Sequence, residues 1–150
     1  MSDYVTFELA GERCAFPTDR VKEIIRMPEV VRVPLGPPAL VGLADLHGRA
    51  LPVVSLRVCC AMEQPEQDAT SRVIVMDGDV PLGFVVDRVS GVISVDPSAV
   101  DPAEEVRAAV HPDVLAGVIR SGGGAMTAVL DVDRLIDGRY RPAATARSEA

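Results

Sequence analysis

The chain has 150 residues, which suits one compact domain or two small, closely packed halves and needs no metal or disulfide staple. Hydrophobic residues make up 48% but aromatics only 3%, so Val, Ala and Leu do most of the filling, as in short strands packed through β-branched side chains. A formal net charge of -7 with no basic window argues against a nucleic-acid reader and against adsorption to an anionic membrane surface.

Met1 to Leu9 carries Asp3 and Glu8 and has no continuous apolar core, so no secretory signal is expected. Tyr4 to Leu9 alternates, with Val5, Phe7 and Leu9 on one face, and reads as a half-buried strand. Ala10-Gly11 makes a turn and Arg13 to Phe16 returns. Thr18 resembles a helix N-cap, Asp19 suits a first turn, and Val21, Ile24 and Ile25 stand at i, i+3 and i+4. This spacing predicts one short early helix that closes near Arg26, ahead of Met27-Pro28.

Pro34 to Pro38 is too rich in breakers to be anything but a connection. Val41 to Leu46 and Ala50 to Leu56 read as strands around His47-Gly48-Arg49, and Glu63 to Thr70 as an exposed loop. Arg72 to Met76 is a nearly continuous apolar strand, with Leu82 to Val86 as its antiparallel return across Asp77-Gly78-Asp79. Ser90-Gly91 marks a bend before the strand Val92 to Val95, and Asp96-Pro97 and Asp101-Pro102 punctuate a loop region.

Glu104 to His111 is too short and too close to Pro112 to give a clear helix. Val114 to Arg120 and Ala125 to Leu130 form a last hairpin across Ser121 to Gly124, Val132 to Ile136 a short C-terminal helix, and residues 138–150 a flexible tail. About nine or ten short strands with no strand–helix alternation make the chain all-β, a sandwich or barrel.

Chemistry is harder to find. His47 and His111 have no ligand spacing to any cysteine, so no metal is expected. Cys14, Cys59 and Cys60 contain no C-x-x-C and read as small buried apolar residues in a reducing, cytoplasmic setting. Gly122 to Gly124 lacks the Lys-Ser/Thr ending of a phosphate loop and precedes a strand. No serine sits in a G-x-S-x-G elbow, and no carboxylate dyad can be paired from sequence. No enzyme and no cofactor is expected. Gly42, Gly83, Gly91 and Gly117 interrupt apolar strands, marking either barrel corners, the favoured reading, or places where a partner's backbone presses close.

Two stretches carry a resemblance. Val41-Gly42-Leu43-Ala44-Asp45-Leu46-His47-Gly48-Arg49-Ala50-Leu51-Pro52-Val53-Val54-Ser55-Leu56-Arg57 is similar to the hallmark of the CheW-like family. Leu82-Gly83-Phe84-Val85-Val86-Asp87-Arg88-Val89-Ser90-Gly91-Val92-Ile93 resembles the family's Gly-hydrophobic-Val-Asp-x-Val-x-x-Val segment. Val21-Lys22-Glu23-Ile24 and Leu115-Ala116-Gly117-Val118 are weaker matches in the same order.

The resemblance implies two intertwined five-stranded, SH3-like β-barrels over residues 1–137. It implies a non-catalytic adaptor that couples the cytoplasmic tips of chemoreceptors to a CheA-type histidine kinase, without nucleic acid and without membrane insertion. Carried over residue by residue, Val21, Glu23, Ile24, Gly42 and His47 fall on the receptor-facing surface. Gly83, Val89 and Val92 fall on the second barrel, where the kinase docks. His47 stands where the family has an arginine able to pair with the glutamate at Glu23, and Ser55 replaces the family aspartate. The histidine points to an auxiliary chemosensory system, such as one governing pilus or gliding motility, as the alternative to flagellar chemotaxis.

Overall fold

The chain starts one sheet, leaves to build a second, and returns to complete the first. The computed structural model describes residues 1–63, 67–102 and 114–139. Strands β1 (Ser2–Leu9) and β2 (Glu12–Pro17) open a six-stranded sheet. The next five, β3 (Val21–Arg26), β4 (Leu40–Leu46), β5 (Arg49–Ser55), β6 (Arg72–Met76) and β7 (Leu82–Val86), form a sheet of their own in the order β3-β6-β7-β5-β4. Then β8 (Arg88–Val95), β9 (Val100–Pro102), β10 (Leu115–Arg120) and β11 (Met126–Leu130) finish the first sheet, in the order β8-β1-β2-β11-β10-β9. Two short helices punctuate the strands: α1 (Leu56–Cys59) follows β5, and α2 (Val132–Arg139) follows β11. The all-β, two-barrel architecture with interleaved segments is the expected one.

The early helix is corrected. Thr18–Arg20 forms only a single 3-10 turn without a side-chain cap, and Val21–Arg26 is an edge strand. Its pairing with β6 slips between Val21 and Glu23, so Lys22 is an extra residue. Val21 and Ile24 pair with Met76 and Ile74, which face the space between the barrels, while Glu23 and Ile25 pair with Val75 and Val73, which face the barrel interior. The bulge thus turns a strand's alternation into spacing that imitates a helix stripe.

Two smaller differences follow. Val100–Pro102, expected within a loop, adds β9 beside β10, so the first sheet has six strands where the resemblance implies five. α2 runs to Arg139, into the first residues of the expected tail. The Glu104 to His111 stretch and residues 140–150 lie outside the described residues.

The core has three parts. Ala15, Val95, Ile119 and Val129 fill the six-stranded barrel, and Leu51, Val53, Val73, Val75 and Val85 fill the five-stranded one. Between them lies the largest cluster, with Phe7 and Phe16 from the first sheet and Ile74, Phe84 and Val86 from the second. The rings of Phe7 and Phe16 stand 5.0 Å apart, and those of Phe16 and Phe84 5.8 Å apart, so a run of aromatics crosses the junction. This explains the unbroken apolar runs of β6 and β7. Their odd and even side chains are buried on opposite faces, one in the barrel and one in the junction. Fully burying each such side chain contributes about 1.5–3 kcal/mol, so the junction holds the barrels far more firmly than any single polar contact.

Candidate partner-docking surfaces

The β4–β5 hairpin positions His47. His47 and Gly48 have φ of +52 and +82, the pair of positive values that a two-residue type I′ turn demands. Asp45 Oδ1 accepts the Gly48 N–H at 3.0 Å and fixes the turn. The imidazole then lies over β3, with Nε2 3.2 Å from Glu23 Oε1. Two residues that the sequence keeps 24 positions apart are brought into contact. Their side chains are 72% and 31% exposed, so the pair is open to a partner. A shallow depression beside it is lined by Lys22, Leu46, Arg49, Gly78 and Pro81.

The other receptor-side residues divide. Ile24 is an exposed apolar side chain on the edge strand, 39% accessible. Val21 instead packs against the junction core. Gly42 is buried under the chain's own connection: Val31 pairs with Leu43 through two backbone bonds of 2.8 Å, and a Cβ on Gly42 would stand 2.6 Å from Val31 O. At Gly117 a Cβ would meet Asp101 O at 2.9 Å. The backbone that presses on both glycines belongs to this molecule, not to a partner.

The kinase-side residues separate further. Gly83 lies in β7 of the five-stranded sheet, where a Cβ would come within 2.5 Å of Val73 Cγ1. Val89 and Val92 lie in β8, the edge strand of the six-stranded sheet. Placing all three on one barrel is therefore corrected: the chain crosses between barrels at Asp87, in the middle of the matched segment. Val89 packs against the junction core, and Val92 is 63% exposed.

Sequence reasoning missed the polar contact at that crossing. Arg57, on α1, donates from Nε to Asp87 Oδ1 at 2.9 Å and from a terminal nitrogen to Oδ2. Asp87 Oδ2 also accepts the Ala10 N–H at 2.8 Å, and the Asp87 N–H donates to Glu8 O at 3.2 Å. Burial alone would raise the Asp87 carboxyl, but the hydrogen bonds from Arg57 and Ala10 outweigh it and hold the group below the usual carboxylate range. Both residues stood in the matched motifs; their partnership across 30 positions had no sequence signal.

Among the described residues, the geometry assembles no reaction centre. Burial pushes the Cys14 thiol up to about 12, which keeps it protonated and unreactive near neutral pH. Among the described residues no group of three or more His, Cys, Asp or Glu side chains could hold a metal ion. Among them, too, no helix is long and apolar enough to cross a membrane. His111 lies outside the described residues.

The family model for the CheW-like domain matches residues 3–139. The chain is 30% identical over 99 residues to the chemotaxis protein CheW of Thermotoga maritima, a match covering 66% of each chain. It is 29% identical over 135 residues to the chemotaxis protein CheW of Klebsiella aerogenes, covering 89% of this chain and 81% of that one. The crystal structure of the scaffolding protein TtCheW from Thermoanaerobacter tengcongensis superposes with a TM-score of 0.83 at 21% identity, covering 94% and 96% of the two chains, and so shares the fold. The chain belongs to the CheW-like family, the non-catalytic scaffold and adaptor proteins of chemotaxis.

Proposed function

We propose that this protein couples the cytoplasmic tips of chemoreceptors to a CheA-type histidine kinase by holding each on a different barrel. The observation that carries the reading is the position of two exposed apolar side chains on edge strands of different sheets, Ile24 on β3 and Val92 on β8. Scattered surface apolar residues need no explanation, but these two stand in the family-matched segments. The receptor tip docks over Ile24, Glu23 and His47, and the kinase over Val92. Each interface of ordinary size buries about 800 Å² on each partner. The continuous junction core makes the two faces parts of one rigid body, so a change in receptor packing reaches the kinase as a choice between arrangements of the interfaces. The protein works in the cytoplasm, recruited to receptor arrays at the inner membrane face.

The replacement of the family arginine by His47 favours service in an auxiliary chemosensory system over flagellar chemotaxis as a second reading. The main reading is tested with Ile24→Glu and Val92→Glu, both at exposed positions. Binding to a receptor-tip fragment should be lost in the first only, and binding to the kinase's adaptor-like domain in the second only. Loss of neither interaction, or of both in each variant, overturns the assignment of faces.

A further inference from the structure

We infer that the small depression at the end of the five-stranded barrel receives an acidic side chain, Asp or Glu, of the receptor-side partner, held between Lys22 and Arg49. The inference rests on the docking reading above and adds the chemistry of one partner residue.

Both cations reach the depression for local reasons. Lys22 is the extra residue where β3 slips against β6, and a bulge of this kind re-aims a side chain out of the strand's alternation. Arg49 follows directly on the type I′ turn and opens β5 opposite Leu46. β3 and β5 are not neighbours in the sheet, yet the curl of the barrel brings the two side chains to one depression. Its floor is apolar, with Leu51, Val75 and Met76 each at most 3% exposed.

Neither cation is satisfied within the molecule. Among the described residues, neither side chain makes an ion pair or a hydrogen bond. Of the acidic residues on the same elements, Glu23 contacts His47 and Asp45 accepts the Gly48 N–H, while Asp77 and Asp79 flank Gly78 without lining the depression. In a chain of formal net charge -7, a concavity walled by two permanent cations and no carboxylate runs against the general trend. Like charges over an apolar floor repel more than they do on an open surface, and an anion seated between them relieves that cost. The volume, about 60 Å³, is far below the roughly 300–1,000 Å³ of a small-molecule pocket, so the occupant is the end of a side chain. Exposed Ile24, on the same strand as Lys22, supplies the apolar contact beside it.

The test is calorimetric titration of the full chain with a receptor cytoplasmic-tip fragment at about 0.1 M and about 1 M salt. At the lower salt Lys22→Gln and Arg49→Gln should each weaken binding about two- to fivefold, the range of an exposed charge pair, and the loss should shrink at the higher. Arg13→Gln, at an exposed arginine on β2 of the other sheet, should leave the affinity unchanged. Among fragments with one Asp or Glu reversed to Lys, one should bind Lys22→Glu more tightly than it binds wild type. Wild-type affinity in either Gln variant at Lys22 or Arg49, an equal loss in Arg13→Gln, or the lack of any such compensating reversal would overturn the inference. Absence of binding by wild type at both salt concentrations would instead remove the docking reading itself, and this inference with it.

Discussion

Arg57 and Asp87 meet side chain to side chain at the point where the chain passes from one barrel to the other, with Nε 2.9 Å from Oδ1. The pair is four-fifths and three-quarters shielded from solvent, and its carboxylate also caps the Ala10 N–H of the β1–β2 turn. One acidic group thus ties α1, the crossover and the first hairpin together.

Removing that carboxylate's charge should therefore cost stability, and the cost should depend on pH. Asp87→Asn leaves a shielded guanidinium without its counter-ion, a loss of about 1–3 kcal/mol at neutral pH. The Asp87 carboxyl titrates lower in the folded chain than in the unfolded one, so its contribution is complete above the unfolded value, about 3.9. It fades as pH falls through the lower folded value. Urea unfolding of wild type and Asp87→Asn should show the gap at pH 7 narrowing well below pH 4.

The Arg20–Asp133 pair offers a contrast of the same chemistry in a different setting. Its two bonds of 3.0 and 3.2 Å join the turn before β3 to α2, but Asp133 is 71% exposed. Solvent screening limits such a pair to about 0.2–1 kcal/mol. Asp133→Asn should shift the urea midpoint much less than Asp87→Asn does.

Phe16 sits between Phe7 and Phe84 and contacts both barrels' contribution to the junction. Phe16→Ala should cost about 3–5 kcal/mol, from lost burial and the cavity left behind. Phe16→Leu, which keeps most of the volume, should cost roughly half of that or less. A single cooperative transition by both fluorescence and circular dichroism is expected in each, since the junction couples the two barrels.

Gly42 and Gly83 should respond to alanine for different reasons. In Gly42→Ala the added methyl meets the Val31 carbonyl, so the connection must lift from β4. Amide exchange at Val31 and Leu43, whose N–H groups bond to each other's carbonyls, should accelerate while the rest of the five-stranded sheet stays protected. In Gly83→Ala the methyl meets Val73 in the barrel interior, and overpacking should cost about 1–3 kcal/mol globally. Any effect of substituting either glycine on partner binding would act through shape, because both lie beneath the surface.

The strands were legible where one physical signal dominated. Alternation marked β1, Asp77-Gly78-Asp79 marked the turn between β6 and β7, and Leu-Gly-Phe-Val-Val was apolar on both faces because both are buried. β3 imitates a helix in sequence because the slip at Lys22 reproduces helical spacing between Val21 and Ile24, a feature of pairing geometry that local sequence does not carry. β9 is illegible in the sequence because three residues ending in proline have almost no pattern of their own. Of the site residues, the contact between Glu23 and His47 was accessible only through the family resemblance. The Arg57–Asp87 contact required coordinates, since nothing local ties an arginine on one segment to an aspartate on another.

The bridging role is tested most directly by sedimentation velocity on a mixture of this protein, a receptor-tip fragment and the kinase's adaptor-like domain. The account expects a ternary species in which the protein binds both at once, with Ile24→Glu leaving only the kinase pair and Val92→Glu only the receptor pair. Competition between receptor fragment and kinase domain for the protein would contradict it.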